Sequence, residues 1–261
     1  LAGKGSRHDK TVHRIFYFAG GGFRDTPSKE HWLLCAELAD NLPEYEFNVV
    51  SYPLASDSPA PVSIPHMQQF YQAIAAESRV KGFRITLAGD SAGGNLALVL
   101  GLYAASEFLQ QECDGPNELC PVESIFAMSP ATDLRNLNTG IDPTDHQDPL
   151  LSRETIEEVA LEWKGDWDLS DPRISPILAD LRAFRRAGIK VDGLTGGHDV
   201  LTPDALLFRD KLAESGVKGD WLQWEKQVHC FPFLFSYHIA EGVAGKDWIL
   251  ETLRANARRP S

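Results

Sequence analysis

Residues 87–98 read "LAGDSAGGNLAL". Gly89-Asp90-Ser91-Ala92-Gly93 stands between a short apolar run, which suits a buried strand, and a stretch with the spacing of an amphipathic helix. A serine at such a junction occupies a very sharp strand-to-helix turn. Side chains two positions before and two positions after it would strike neighbouring backbone, which favours glycine at both Gly89 and Gly93. The turn lifts Ser91 above the carboxyl end of a sheet, with the N-terminus of the following helix near its oxygen.

A serine hydroxyl is a poor nucleophile until a positioned base takes its proton, and that base needs an orienting acid. The motif therefore predicts an acid and then a histidine further along the chain. "GGHDVLTPDA", residues 196–205, supplies Asp199 in a loop after an apolar run, and "WEKQVHCFPF", residues 224–233, supplies His229 in the next such loop. Asp192 and Asp204 compete for the acid role, although Asp204 reads as a first-turn helix residue favoured by the helix dipole. His198 precedes the acid; His8, His13, His31, His66, His146 and His238 fall at a terminus, on helices or in an insertion.

The stretch "FYFAGGGFRD", residues 16–25, gains a role from this chemistry. Attack on a carbonyl places negative charge on its oxygen, and preorganised N–H groups are needed to meet it. Gly21 and Gly22, joined by the N–H of Ala92, are the candidate oxyanion donors. A phosphate cradle fits poorly, because the stretch lacks both the GxxxxGK[ST] lysine and the spaced GxGxxG pattern.

Around these motifs the chain alternates. The runs "RIFYFA", "FNVVSY", "RITLAG", "SIFAMS", "KVDGLTG" and "DWLQWEK" read as strands. Between them, helical spacing covers Lys29 to Asp40, Pro65 to Arg79, Ala92 to Leu109, Arg153 to Trp163, Pro203 to Ser215 and Tyr237 to Ala255. This order predicts an α/β architecture, a mostly parallel twisted sheet with helices on both faces. A single domain spanning 1–261 is expected, with a helical lid insertion at about 131–187, where Asp and Pro are frequent and no strand pattern occurs. Trp163, Trp167 and Phe184 in that insertion fit core positions better than pocket walls.

The chain has 261 residues, 43% hydrophobic and 24% charged, which suits a folded globular protein. Its net charge of -12 argues against nucleic acid or an anionic membrane surface as a partner. The apolar runs at Leu96 to Leu102 and Ile125 to Pro130 are too short to cross a bilayer, so a soluble, cytoplasmic protein is expected. The chain opens on Leu1, which leaves room for an upstream signal or anchor. Cys35, Cys113, Cys120 and Cys230 lack metal-binding spacing, and no metal or cofactor is called for. Cys113 and Cys120 flank a loop and would suit either a local disulfide or two free thiols. The partner expected is a small-molecule ester; oligomeric state is open, a homodimer included.

Taken together the motifs resemble the hormone-sensitive-lipase-like branch of the α/β-hydrolase superfamily. The resemblance rests on "GGGF", "YPLASDSPAPVSIPHM", "GDSAGGNLAL", "SPATDL", "DPRISPIL", "GGHDVLTPDALLF" and "VHCFPF", in family order from about residue 14 to 235. It implies Ser91 as nucleophile, Asp199 as acid, His229 as base, and Gly21, Gly22 and Ala92 as oxyanion donors. It implies a serine carboxylic-ester hydrolase acting through an acyl-enzyme on a small acyl group such as acetyl, carried by an apolar alcohol or natural product. Relatives also cleave amides, formamides, lactones or thioesters or catalyse eliminations, and some bind a ligand without catalysis. This chain departs from the pattern in three places. Ala19 replaces the usual histidine before the glycines, Cys230 follows His229 where glycine is common, and the segment before the glycines is short. The first removes a group that usually helps hold the oxyanion loop; the last implies a truncated chain or a more open pocket.

Overall fold

Alternating apolar runs and helical stretches fold as the pattern dictates, into one six-stranded parallel sheet in the order β2-β1-β3-β4-β5-β6. The computed structural model describes residues 13–111 and 119–258. Its strands are β1 (His13–Phe18), β2 (Tyr45–Val50), β3 (Arg84–Asp90), β4 (Val122–Met128), β5 (Lys190–His198) and β6 (Trp221–Val228). Its α-helices are α1 (Lys29–Asn41), α2 (Ala60–Lys81), α3 (Ser91–Gln110), α4 (Ile141–Asp145), α5 (Arg153–Lys164), α6 (Arg182–Ala187), α7 (Thr202–Glu214) and α8 (Ala240–Ala257). The Cys113 half of the cysteine pair lies outside the described residues.

The four inner strands are buried on both faces, as parallel sheets are, and the edge strands β2 and β6 are partly open to solvent. Leu34 and Leu38 of α1 and Ile249 and Leu253 of α8 pack on one face with Ile15, Tyr17 and Phe126. On the other face α2, α3, α6 and α7 cover Phe16, Phe18, Ile85, Leu87 and Ile125. Strand order reverses between β1 and β3, since the chain leaves β1 toward β2 on one side and β3 lies on the other. A crevice opens at such a switch point, outside the carboxyl ends of the strands. The glycine loop leaves β1 there and Ser91 leaves β3 there.

Three elements differ from expectation. First, α2 starts at Ala60, with Pro59 as its N-cap, and Pro65 lies inside the helix. At that position proline removes only a bond back to the first turn, and the buried stripe of Ile64, Met67, Tyr71 and Ile74 carries the helix through it. Second, α8 begins at Ala240; Phe231–Tyr237 forms a 3-10 segment instead, closed by His238 in the left-handed region. Third, α3 is long and apolar enough to cross a bilayer by composition. Its residues from Ala92 to Leu102 are buried almost without a break between the sheet, α2 and α6, so it is the central core helix.

The segment between β4 and β5 holds α4, α5, a 3-10 turn at Pro176–Leu178 and α6. Asn95 of α3, fully buried, ties both sides of it down, its amide donating to the carbonyls of Ala131 and Ile174 at 2.7 Å each. Trp163 and Phe184 are fully buried and Arg173 lies over the Trp167 ring. All three aromatics pack in or against the core.

Candidate active site

The turn at Ser91 has the geometry its glycines foretell. Ser91 sits at φ 53, a left-handed conformation costing roughly 1–3 kcal/mol that only over-determined surroundings maintain. Those surroundings are backbone. A Cβ on Gly89 would overlap the carbonyl of Gly93, and one on Gly93 would overlap the carbonyl of Phe18. Strand β1, strand β3 and helix α3 therefore meet at van der Waals contact beneath the serine. Ala92, second in α3, has an N–H with no partner inside its own helix.

The glycine loop uses the same freedom differently. Gly21 and Gly22 lie at φ 110 and φ 59, and the carbonyl of Gly21 accepts the N–H groups of Arg24 and Asp25 at 2.9 and 3.0 Å. The loop is clamped on its far side where Phe23 stacks on Trp163 of α5, ring centroids 4.2 Å apart and 4° from parallel. Arg24 adds ion pairs with Glu158 and Glu162 of the same helix. Exposed pairs contribute up to about 1 kcal/mol, whereas burying each of two aromatic rings contributes about 1.5–3 kcal/mol, so the stack dominates.

His229 lies in the loop after β6, and its Nδ1 is 2.9 Å from Oδ2 of Asp199 in the loop after β5. Asp199 is fully buried, and its other oxygen accepts the Leu201 N–H at 2.9 Å. Burial, the largest single influence, pulls the His229 imidazole toward its neutral form, but the charge and hydrogen bond of Asp199 together with those of the neighbouring Cys230 outweigh it, and the pKa stands well above the ordinary 6.5. With Nδ1 donating to Asp199, Nε2 is the nitrogen left to accept a proton. The loop carrying His229 is tied to the end of β4 by the Cys230 N–H, which donates to Ser129 Oγ at 3.2 Å. The loop carrying Asp199 is tied to the insertion by the Val200 N–H, which donates to Asp148 at 2.9 Å.

The rival acids point elsewhere. Asp204, in the first turn of α7, accepts the Asn138 amide at 2.9 Å, and burial pushes its carboxyl up to about 6 despite that bond. Asp192 accepts the Asp220 N–H and the Asn256 amide near the start of β5.

Ser91, His229, Gly21, Gly22 and Ala92 all face one cavity of about 450 Å³. Its wall is mainly apolar, and the segment between β4 and β5 supplies Leu134, Leu150, Leu151, Ile156 and Val159. The sequence motifs do not single out Asp90, yet this buried carboxylate beside Ser91 accepts the Gly20 N–H at 3.0 Å and the Tyr17 hydroxyl at 2.7 Å. The Tyr52 hydroxyl donates to the Ala19 carbonyl at 2.8 Å. In the sequence, the signal for Tyr52 is its place in the "YPLA" block.

A family model described as the alpha/beta hydrolase fold matches residues 15–233. An esterase of Acinetobacter venetianus is 31% identical over 205 residues, covering 78% of this chain and 62% of its own length. The chain thus spans under two thirds of that relative. An acetyl-hydrolase of Streptomyces hygroscopicus is 24% identical over 215 residues, 82% of this chain and 67% of its own. Among solved structures, an esterase of Pyrobaculum calidifontis superposes with a TM-score of 0.81 at 22% identity, covering 97% of this chain and 80% of that one.

Proposed function

The chain belongs to the hormone-sensitive-lipase-like family of the α/β hydrolase fold, and from that premise we propose that it is a serine carboxylic-ester hydrolase working through an acyl-enzyme. One observation carries the reading: His229, held by Asp199 at 2.9 Å, faces the same cavity as Ser91 and the glycine loop. Nucleophile, base, orienting acid and backbone donors then converge on one reacting carbonyl.

Ser91 Oγ attacks the ester carbon while His229 Nε2 takes its proton. The carbonyl oxygen, now an anion, is met by the N–H groups of Gly21, Gly22 and Ala92. The tetrahedral intermediate collapses, the C–O bond to the alcohol breaks, and His229 returns the proton to the departing alcohol. Water then attacks the acyl-serine with His229 again as base, releasing the acid and restoring Ser91. Asp199 keeps the imidazole oriented and stabilises its cation throughout.

The apolar wall favours an acyl or alcohol group without charge, and a space of about 450 Å³ suits an ester of a short acyl chain better than one of a long chain. The Streptomyces relative, named an acetyl-hydrolase, supports acetyl as one such group. In this reading the segment carrying α4 and α5 acts as a lid that excludes water.

Turnover of p-nitrophenyl acetate, butyrate and palmitate tests the proposal. The first two are expected to be hydrolysed with kcat/KM at least about a hundredfold above the third, a difference of about 2.7 kcal/mol in transition-state stabilisation. No turnover of any of the three would sink it.

A further inference from the structure

We propose that His31, on α1, is a positioning residue for the oxyanion loop, acting through Asp90; the inference rests on the ester-hydrolase reading above. His31 is buried, and its ring meets the edge of Phe233 at 4.8 Å between centroids. Its Nδ1 accepts the backbone N–H of Ser28 at 3.0 Å, the reverse arm of the cap that starts α1. Ser28 Oγ also lies 2.8 Å from Nδ1; a nitrogen that accepts an N–H carries no proton, which assigns the ring hydrogen to Nε2. That atom lies 3.2 Å from Oδ2 of Asp90 and donates to it.

Asp90 passes the constraint on. Its Oδ1 takes the Tyr17 hydroxyl and the N–H of Gly20, the residue immediately before Gly21 and Gly22. Among the described residues its Oδ2 has His31, and beyond that only the Cys230 thiol at 3.9 Å, a weak donor whose pKa burial pushes up to about 11. Without His31 one oxygen of a buried carboxylate is left nearly unpaired, and the side chain gains by turning toward another donor. Turning breaks the bond to Gly20. The two glycines after it then lose the fixed direction that a developing oxyanion requires. Ala19 has no side chain able to hold this loop, and His31 supplies a side-chain anchor from a different element.

Three variants separate this role from simple packing. In His31→Gln the side-chain amide places an N–H near the native Nε2 position; in His31→Asn it reaches only the Nδ1 position; His31→Leu fills space alone. With p-nitrophenyl acetate, Leu and Asn are expected to lower kcat about tenfold to a hundredfold with KM nearly unchanged, the signature of a misplaced oxyanion hole. A boronic acid, whose serine adduct is tetrahedral, should weaken as an inhibitor by the same factor, and Gln should restore most of both. Asn and Gln behaving alike, or KM rising in step with the loss, would overturn the inference while an active wild type leaves the ester reading standing. An inactive wild type would overturn both.

Discussion

Ser91→Ala is expected to lower kcat for p-nitrophenyl acetate by about six orders of magnitude, close to 8 kcal/mol of transition-state stabilisation. The size follows from what the substitution removes. Without Oγ there is no acyl-enzyme, and His229 has no hydroxyl to deprotonate. What survives is the cavity and the N–H groups of Gly21, Gly22 and Ala92, which can still polarise a carbonyl toward water. Folding should be preserved, because Ala retains the Cβ and the restraints beneath it are backbone contacts among Gly89, Gly93 and Phe18. Thermal melting checks this. A loss below about a hundredfold in a folded variant would mean that another group attacks the ester.

Asp199→Asn is expected to cost about four orders of magnitude in kcat, since an amide can hold His229 in the wrong tautomer and leaves its cation without a counter-charge. It should also move the pH profile. His229 must be neutral to take the serine proton, so kcat/KM rises with pH through the imidazole pKa, and in the wild type that limb lies above 6.5. Burial alone lowers this pKa and Asp199 raises it, so residual activity in the variant should have its limb displaced to lower pH. Asp204→Asn is the matching control. Its partner is Asn138, not His229, and activity should stay within about threefold of wild type. A larger loss in Asp204→Asn than in Asp199→Asn would reverse the acid assignment.

The parts legible in the sequence are those written in local patterns. Gly89 and Gly93 flank Ser91 because the backbone of β1 presses on them, and that requirement is visible within five residues. Asp199 and His229 stand out as candidates because each follows a strand-like run, and parallel strands deliver such loops to one edge. In the sequence His31 reads as one helical histidine among several. Its bond to Asp90 spans 59 positions, and no spacing rule connects a helix N-terminus to the residue before a nucleophile. The start of α2 at Ala60 rather than Pro65 has a related reason. Pro65 has the local mark of a first turn, but the buried stripe through Ile64 and Met67 extends the helix upstream past it, and tertiary packing outweighs one missing N–H. In α3 the same packing explains a composition that would also suit a bilayer.

Whether Ser91 is the nucleophile is read out by a fluorophosphonate probe, which bonds covalently to an activated serine, followed by peptide mass analysis. One adduct per chain is expected, located on Ser91 in the "GDSAGG" peptide, absent in Ser91→Ala, and formed at a rate that falls with Asp199→Asn. An adduct on any other residue, or labelling of Ser91→Ala at the wild-type rate, would contradict Ser91 as the nucleophile.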